Sequence, residues 1–179
     1  PIKSSAASDV YKRQLQGAQG AASFNEIIAE GYGKPQSARE FTELAQWVNY
    51  DGHRSLFESR SKNRMGLLMW MSHPCWPSMV WQTYDYYLEP TAAYFAIKKA
   101  SEPLHIQWDP ATDEVEVVNY SAGTHSHLTA RVQILNMDAS VAWEKETTVD
   151  SREDTTEKCI KLEFPETLSE VYFIKLLSL

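Results

Sequence analysis

The stretch that decides the fold is Gly66–Trp81, GLLMWMSHPCWPSMVW, which holds three of the chain's six tryptophans. Its first half, Met65 to Met71, is apolar at every position but Gly66. A strand with one wet face would alternate, so an unbroken run predicts a strand covered on both sides. Its second half, with His73, Pro74, Cys75, Trp76 and Pro77, does not continue a strand and reads as the loop that follows one.

Upstream lies a strong helix signal. Ser37 with Glu40 three positions on makes a capping box. Phe41, Leu44, Ala45, Val48, Gly52 and Leu56 then recur at helical spacing. Arg54 and Glu58 are four apart and can pair. The polar SRSKNR ends that helix. Before it, Phe24–Glu30 is a short amphipathic segment stopped by Gly31, Gly33 and Pro35. A helix followed by a doubly buried strand is one step of a barrel or of an open parallel sheet. Downstream, Ala93, Ala96, Ile97 and Ala100 predict a short helix ending before Pro103.

At Pro103 the periodicity changes from helical to alternating, which marks a domain boundary. LHIQW, EVEVVNY, HLTARVQILN, SVAWEKETTV, KCIKLEF and VYFIKLL are six strand candidates. Leu128, Ala130, Val132 and Ile134 face one way, and Thr129, Arg131 and Gln133 the other. This pattern predicts an antiparallel sandwich, and such domains usually need about 100 residues, so a last strand is expected beyond residues 103–179. DSREDTTEK reads as a charge-rich hairpin connection or sheet edge. At the other end, residues 1–14, PIKSSAASDVYKRQ, lack apolar periodicity and read as a non-native leader, which leaves 15–102 as the helical and strand-bearing part.

Composition excludes several classes. The chain carries 17 basic and 24 acidic residues, net −7, which argues against a nucleic-acid surface. No apolar run is long enough for a membrane span. Cys75 and Cys159 are too few for a disulfide scaffold or a zinc site. His125 and His127 lie two apart without a third ligand and read as a solvated turn, so no metal and no cofactor is expected. His53 and His105 read as structural. Asn119 begins an NYS triplet that fits the glycosylation pattern.

From Leu44 to Trp108 the motifs LAQWVNYDGHRSLFE, GLLMWMSHPCWPSMVWQTYDYYLEP and KKASEPLHIQW closely resemble glycoside hydrolase family 2, in particular its exo-β-glucosaminidases and β-mannosidase-like enzymes. The resemblance implies the C-terminal end of a (β/α)8 TIM barrel over 15–102, followed by an immunoglobulin-like antiparallel β-sandwich over 103–179, both incomplete. It implies an oligosaccharide or glycan as substrate, and a periplasmic or secreted parent enzyme. Trp70 matches a tryptophan that walls the subsite of the cleaved sugar, and Trp76 with Pro77 matches a pair beside it. Relatives usually carry asparagine where His73 stands, so Trp70, His73 and Trp76 are the expected substrate-binding residues.

The family hydrolyses terminal β-linked sugars, here glucosamine or mannose, with retention, using two carboxyl groups about 5 Å apart. These sit on two earlier barrel strands, so none of Glu26, Glu30, Glu58, Asp85 and Glu89 is expected to be catalytic, and the chain alone is expected to be inactive. Asp85 is expected to hold the loop that leaves the barrel. The alternative is a non-catalytic carbohydrate-binding or interaction module presenting Trp70, Trp76 and Trp81 on an exposed platform.

Overall fold

A computed structural model describes residues 17–59, 67–69, 71–77 and 82–178, with side chains from Phe24 onward. Among the described residues three helices lead: α1 (Gly17–Tyr32), α2 (Ala38–Glu58) and α3 (Ala92–Ala100). Six strands follow: β1 (Leu104–Asp109), β2 (Glu114–Asn119), β3 (His125–Asn136), β4 (Val141–Ser151), β5 (Thr155–Lys161) and β6 (Tyr172–Ser178).

Helix α1 is longer than the amphipathic segment, because the Gly/Ala stretch before Phe24 is helical too. It passes through Gly31 and stops at Gly33, which takes the left-handed φ of 85° and donates its amide to the Ala29 carbonyl at 3.1 Å. Helix α2 starts where the capping box predicts. The Glu40 amide donates to Ser37 Oγ at 3.2 Å, while the Glu40 carboxylate reaches one residue past the cap and accepts from the Gln36 amide at 2.6 Å. Despite its apolar stripe, no residue of α2 is fully buried. It packs on α3 and caps it, since Gln46 Oε1 accepts the Ala92 amide at 2.8 Å. Ala93, Ala96 and Ala100 form the buried face of α3.

The strands form two antiparallel three-stranded sheets, ordered β1-β2-β5 and β4-β3-β6. Each is a local hairpin joined by one later strand. Ile106, Val115, Val117, Ile160 and Leu162 from the first sheet meet Ala130 and Val132 from the second in one core, closed by Trp108 and Trp143. Alternation set this up: in β3, Ala130, Val132 and Ile134 are wholly buried. Side chains of this size contribute about 1.5–3 kcal/mol each when buried, less for alanine.

Two expectations need correction. The strand expected at Met65–Met71 is not seen: Leu67–Met69 and Met71 have no regular structure, and Leu68 is fully exposed, at 101%. Residues 65, 66 and 70 of that run lie outside the described residues. The physical reason is that a doubly buried strand exists only between neighbouring strands, and among the described residues no strand precedes Leu104. The fifth strand also runs three residues earlier than KCIKLEF suggests. Asp154 adopts a left-handed φ of 61° in the connection that crosses from β4 in one sheet to β5 in the other, and pairing begins at Thr155, opposite Asn119 of β2. Leu162 stays buried past the strand end, its amide held by the Asp113 carbonyl at 2.8 Å. The leader 1–14 lies outside the described residues.

Candidate functional site

The expected site falls on the segments 71–77 and 82–91, which are laced to each other by backbone. The Ser72 carbonyl accepts from the Tyr84 amide and from the Thr83 hydroxyl, both at 2.9 Å. Tyr84 bridges to Pro90 in antiparallel fashion, and the Tyr84 ring packs on Tyr94 of α3 with centroids 5.4 Å apart. Asp85 closes the turn between them: its Oδ1 accepts from the amides of Tyr87 at 2.8 Å and Glu89 at 2.9 Å. A short carboxylate bonding backbone amides two and four residues on holds a tight turn, and Leu88 takes a left-handed φ of 65° within it. Asp85 therefore does the loop-holding expected of it.

On this frame His73 is exposed, with Nδ1 3.1 Å from Ser72 Oγ. Pro74 is buried, and Trp76 is half-buried. His73 and Trp76 thus share one loop, tethered through Ser72. Trp70 and Trp81 lie outside the described residues. Two clefts among the described residues lie away from His73 and Trp76. One of about 480 Å3 lies between α1 and α2 at Ala29, Lys34 and Phe41. The other, about 770 Å3, separates the C-terminal half of α2 (Arg54, Glu58) from Trp108 and Pro110 at the end of β1 and Tyr172 and Ile174 of β6.

Glu58 lacks the environment of a general acid, whose carboxyl must be pushed up by its surroundings. Burial does push Glu58 up, but hydrogen bonds from His105 and Arg54 outweigh it and hold the carboxyl below the usual range. Asp85 is engaged by backbone amides, and Glu26, Glu30 and Glu89 are exposed. His125 Nε2 is 2.8 Å from the Ala122 carbonyl, which ties it into its turn. Among the described residues no three His, Cys, Asp or Glu side chains are placed to hold a metal ion. Asn119 is wholly buried and spends its amide on Gly123 O at 2.7 Å and the Ala122 amide at 3.0 Å, so a folded chain does not present it for glycosylation. Among the described residues no helix is long and apolar enough to cross a membrane.

The feature that sequence reading missed is a buried polar seam between α2 and β1. His105, read as structural, and Gln107 alternate with Ile106 along β1, and both are buried against Glu58. The signal available was the Arg54–Glu58 spacing, which pointed to a surface pair and not to its covering partner. The pair forms, at 2.7 Å.

No protein-family model matches the chain. It is 35% identical over 124 residues to an exo-β-D-glucosaminidase of Amycolatopsis orientalis, covering 65% of the chain and 12% of that protein. It is 36% identical over 132 residues to an exo-β-D-glucosaminidase of Streptomyces avermitilis, covering 70% of the chain and 15% of the relative. The chain thus spans less than a fifth of the length of these curated relatives. Among solved structures, an Amycolatopsis orientalis exo-chitosanase superposes with a TM-score of 0.81 at 28% identity, over 87% of the chain and 20% of that protein. By these likenesses the chain belongs to the glycoside hydrolase family 2 group of exo-β-D-glucosaminidases and β-mannosidases.

Proposed function

We propose that the chain is part of a retaining β-glycosidase that removes terminal β-linked glucosamine or mannose from glycans. In this reading residues 15–102 are the last βα units of a TIM barrel and 103–179 an immunoglobulin-like sandwich. The observation that carries it is the superposition on the exo-chitosanase, which takes in 87% of the chain and so spans helices and sandwich together. Exposed apolar side chains support it. Leu68, Met71, Tyr87, Leu88 and Phe95 stand open on the helical part, where the remaining barrel would cover them. Trp70, His73 and Trp76 border the sugar, the tryptophans stacking on its apolar face and His73 offering a hydrogen bond at its rim. The two carboxyl groups of the mechanism come from the part of the enzyme outside this chain: Glu58 is tied to Arg54 and His105, and Asp85 to backbone amides of its own turn.

The test is a chimera in which residues 24–179 replace the matching segment of the Amycolatopsis exo-chitosanase. It should release p-nitrophenol from the aryl β-D-glucosaminide or the corresponding mannoside, and Trp76→Ala should raise its KM. Residues 24–179 alone should release none. A chimera that is folded by circular dichroism yet inactive on both substrates overturns the reading, as does hydrolysis by the isolated chain.

A further inference from the structure

The second sheet has two outer strands of opposite character. β4 carries Glu144, Lys145, Glu146 and Asp150, charges of the kind that keep an outer strand from pairing further. β6 reads YFIKLLS, with Lys175 as its one charge. It bonds to β3 on one side, and among the described residues no strand pairs with its other side. Its inward residues are short of cover as well. Ile174 and Leu176 pack against the core but stay partly exposed, while Ile134 and Val132, their partners across the ladder, are wholly buried.

Ile174 and Leu176, with Tyr172 and Trp108, wall the sandwich side of the cleft of about 770 Å3. Trp108 adds a separate demand. Its Nε1 is buried without a hydrogen-bond partner, and an indole N–H only donates, so it calls for an acceptor. A β-strand meets all three needs. One row of its backbone groups pairs with the open edge of β6, about 4.8 Å away. Its other row leaves carbonyls for Trp108, and its alternate side chains cover the core. A helix spends its backbone groups on itself. A sugar could bond the open edge but would leave Ile174 and Leu176 without apolar cover.

We propose that the open edge of β6 and the cleft beside it receive one further β-strand of the parent polypeptide, antiparallel to β6 and about six residues long, with apolar side chains at alternate positions against Ile174, Leu176 and Trp108. The antiparallel sense follows from the neighbouring pairs, all antiparallel, and from the short hairpin that suffices to make it. This rests on the reading that the chain is part of a longer enzyme, and it gives the last strand expected of the sandwich a place, a direction and a side-chain pattern.

The test compares the full chain with the same chain extended by a designed hairpin strand, Asn-Gly-Thr-Val-Thr-Val-Thr-Val-Thr, whose valines fall opposite Ser178, Leu176 and Ile174. A control extension has proline in place of valine and cannot pair. Amide exchange is followed by 1H–15N correlation at two protein concentrations, together with the Trp108 indole proton, assigned through its contact with Phe164. In the unextended chain, the β6 amides not bonded to β3 should exchange fast at both concentrations. The valine strand should abolish that fast exchange and shift the indole proton downfield, and the proline strand should do neither. Fast exchange that persists beside the valine strand overturns the proposal. So does an edge already protected in the unextended chain, which would be covered by a second copy if protection rises with concentration and by a segment of the same chain if it does not. None of these readouts is activity, so an inactive chimera with a protected β6 edge would sink the glycosidase reading alone.

Discussion

Gly52→Ala should stabilise α2, and the size of the effect follows from its surroundings. Gly52 sits in the interior of a 21-residue helix and is exposed. A Cβ built there meets no atom within 4 Å, and its φ is not in the left-handed region. Alanine thus brings no clash, removes backbone freedom from the unfolded chain, and favours the helix by about 0.8–1 kcal/mol. Near 1 kcal/mol is roughly a five-fold change in a local opening equilibrium. Hydrogen exchange read by mass spectrometry over peptides covering residues 45–59 should show that gain in protection. Ala45→Gly, on the same helical stripe, should lose about as much. Unchanged or reduced protection in Gly52→Ala would refute the reasoning, because it would mean that the face at Gly52 is packed closely against something.

Other outcomes follow from the same structure. Ile134→Ala removes a wholly buried side chain of the central strand and should cost about 3–4 kcal/mol in urea unfolding, whereas Lys145→Ala on the exposed face of β4 should stay within about 0.5 kcal/mol; equal costs would discredit the core assignment. Glu58 and Glu102 are both held below the ordinary carboxyl value of 4.5, by His105 with Arg54 and by Lys99 with His105 respectively, against the opposing effect of burial. Their contribution is present above that value and lost as pH falls through the depressed ones, so urea midpoints should drop in this acid range more for the wild type than for Glu58→Gln; parallel curves would count against it. Burial pushes the Cys159 thiol up to about 11, while Cys75 is exposed. Iodoacetamide at pH 8 should label Cys75 well before Cys159 by peptide mass spectrometry, and the reverse order would contradict the burial.

How much was legible depended on where the information lies. The sandwich was readable because alternation is local: Ala130, Val132 and Ile134 announce the buried face of β3 without reference to anything else. The start of α2 was readable because Ser37 and Glu40 cap it from within four residues. Burial by distant partners was not. Leu67–Met69 has the composition of an interior strand, but composition states a need for cover and does not supply it. His105 was read as structural without its partner, since period two separates the faces of β1 without saying that α2 lies over the one that carries His105 and Gln107. As for the candidate site, His73 and Trp76 were put forward from the family motifs around them, and the loop around them depends on Ser72, Asp85 and the Tyr84–Pro90 bridge, whose turn chemistry only Asp85 hinted at.

The topology of the two sheets also dictates an order of assembly. The hairpins β1–β2 and β3–β4 join neighbours in sequence and close short loops, which is fast. β5 pairs with β2 and β6 with β3 across long intervening stretches, and closing those loops is the slow part of such folds. On a ribosome, β3 can hold one partner while its other edge waits for Tyr172–Ser178 to emerge. Nascent chains arrested before Tyr172 should therefore be sensitive to protease across β3, and those arrested well beyond Ser178 resistant; equal resistance at both lengths would show that the second sheet does not need its last strand.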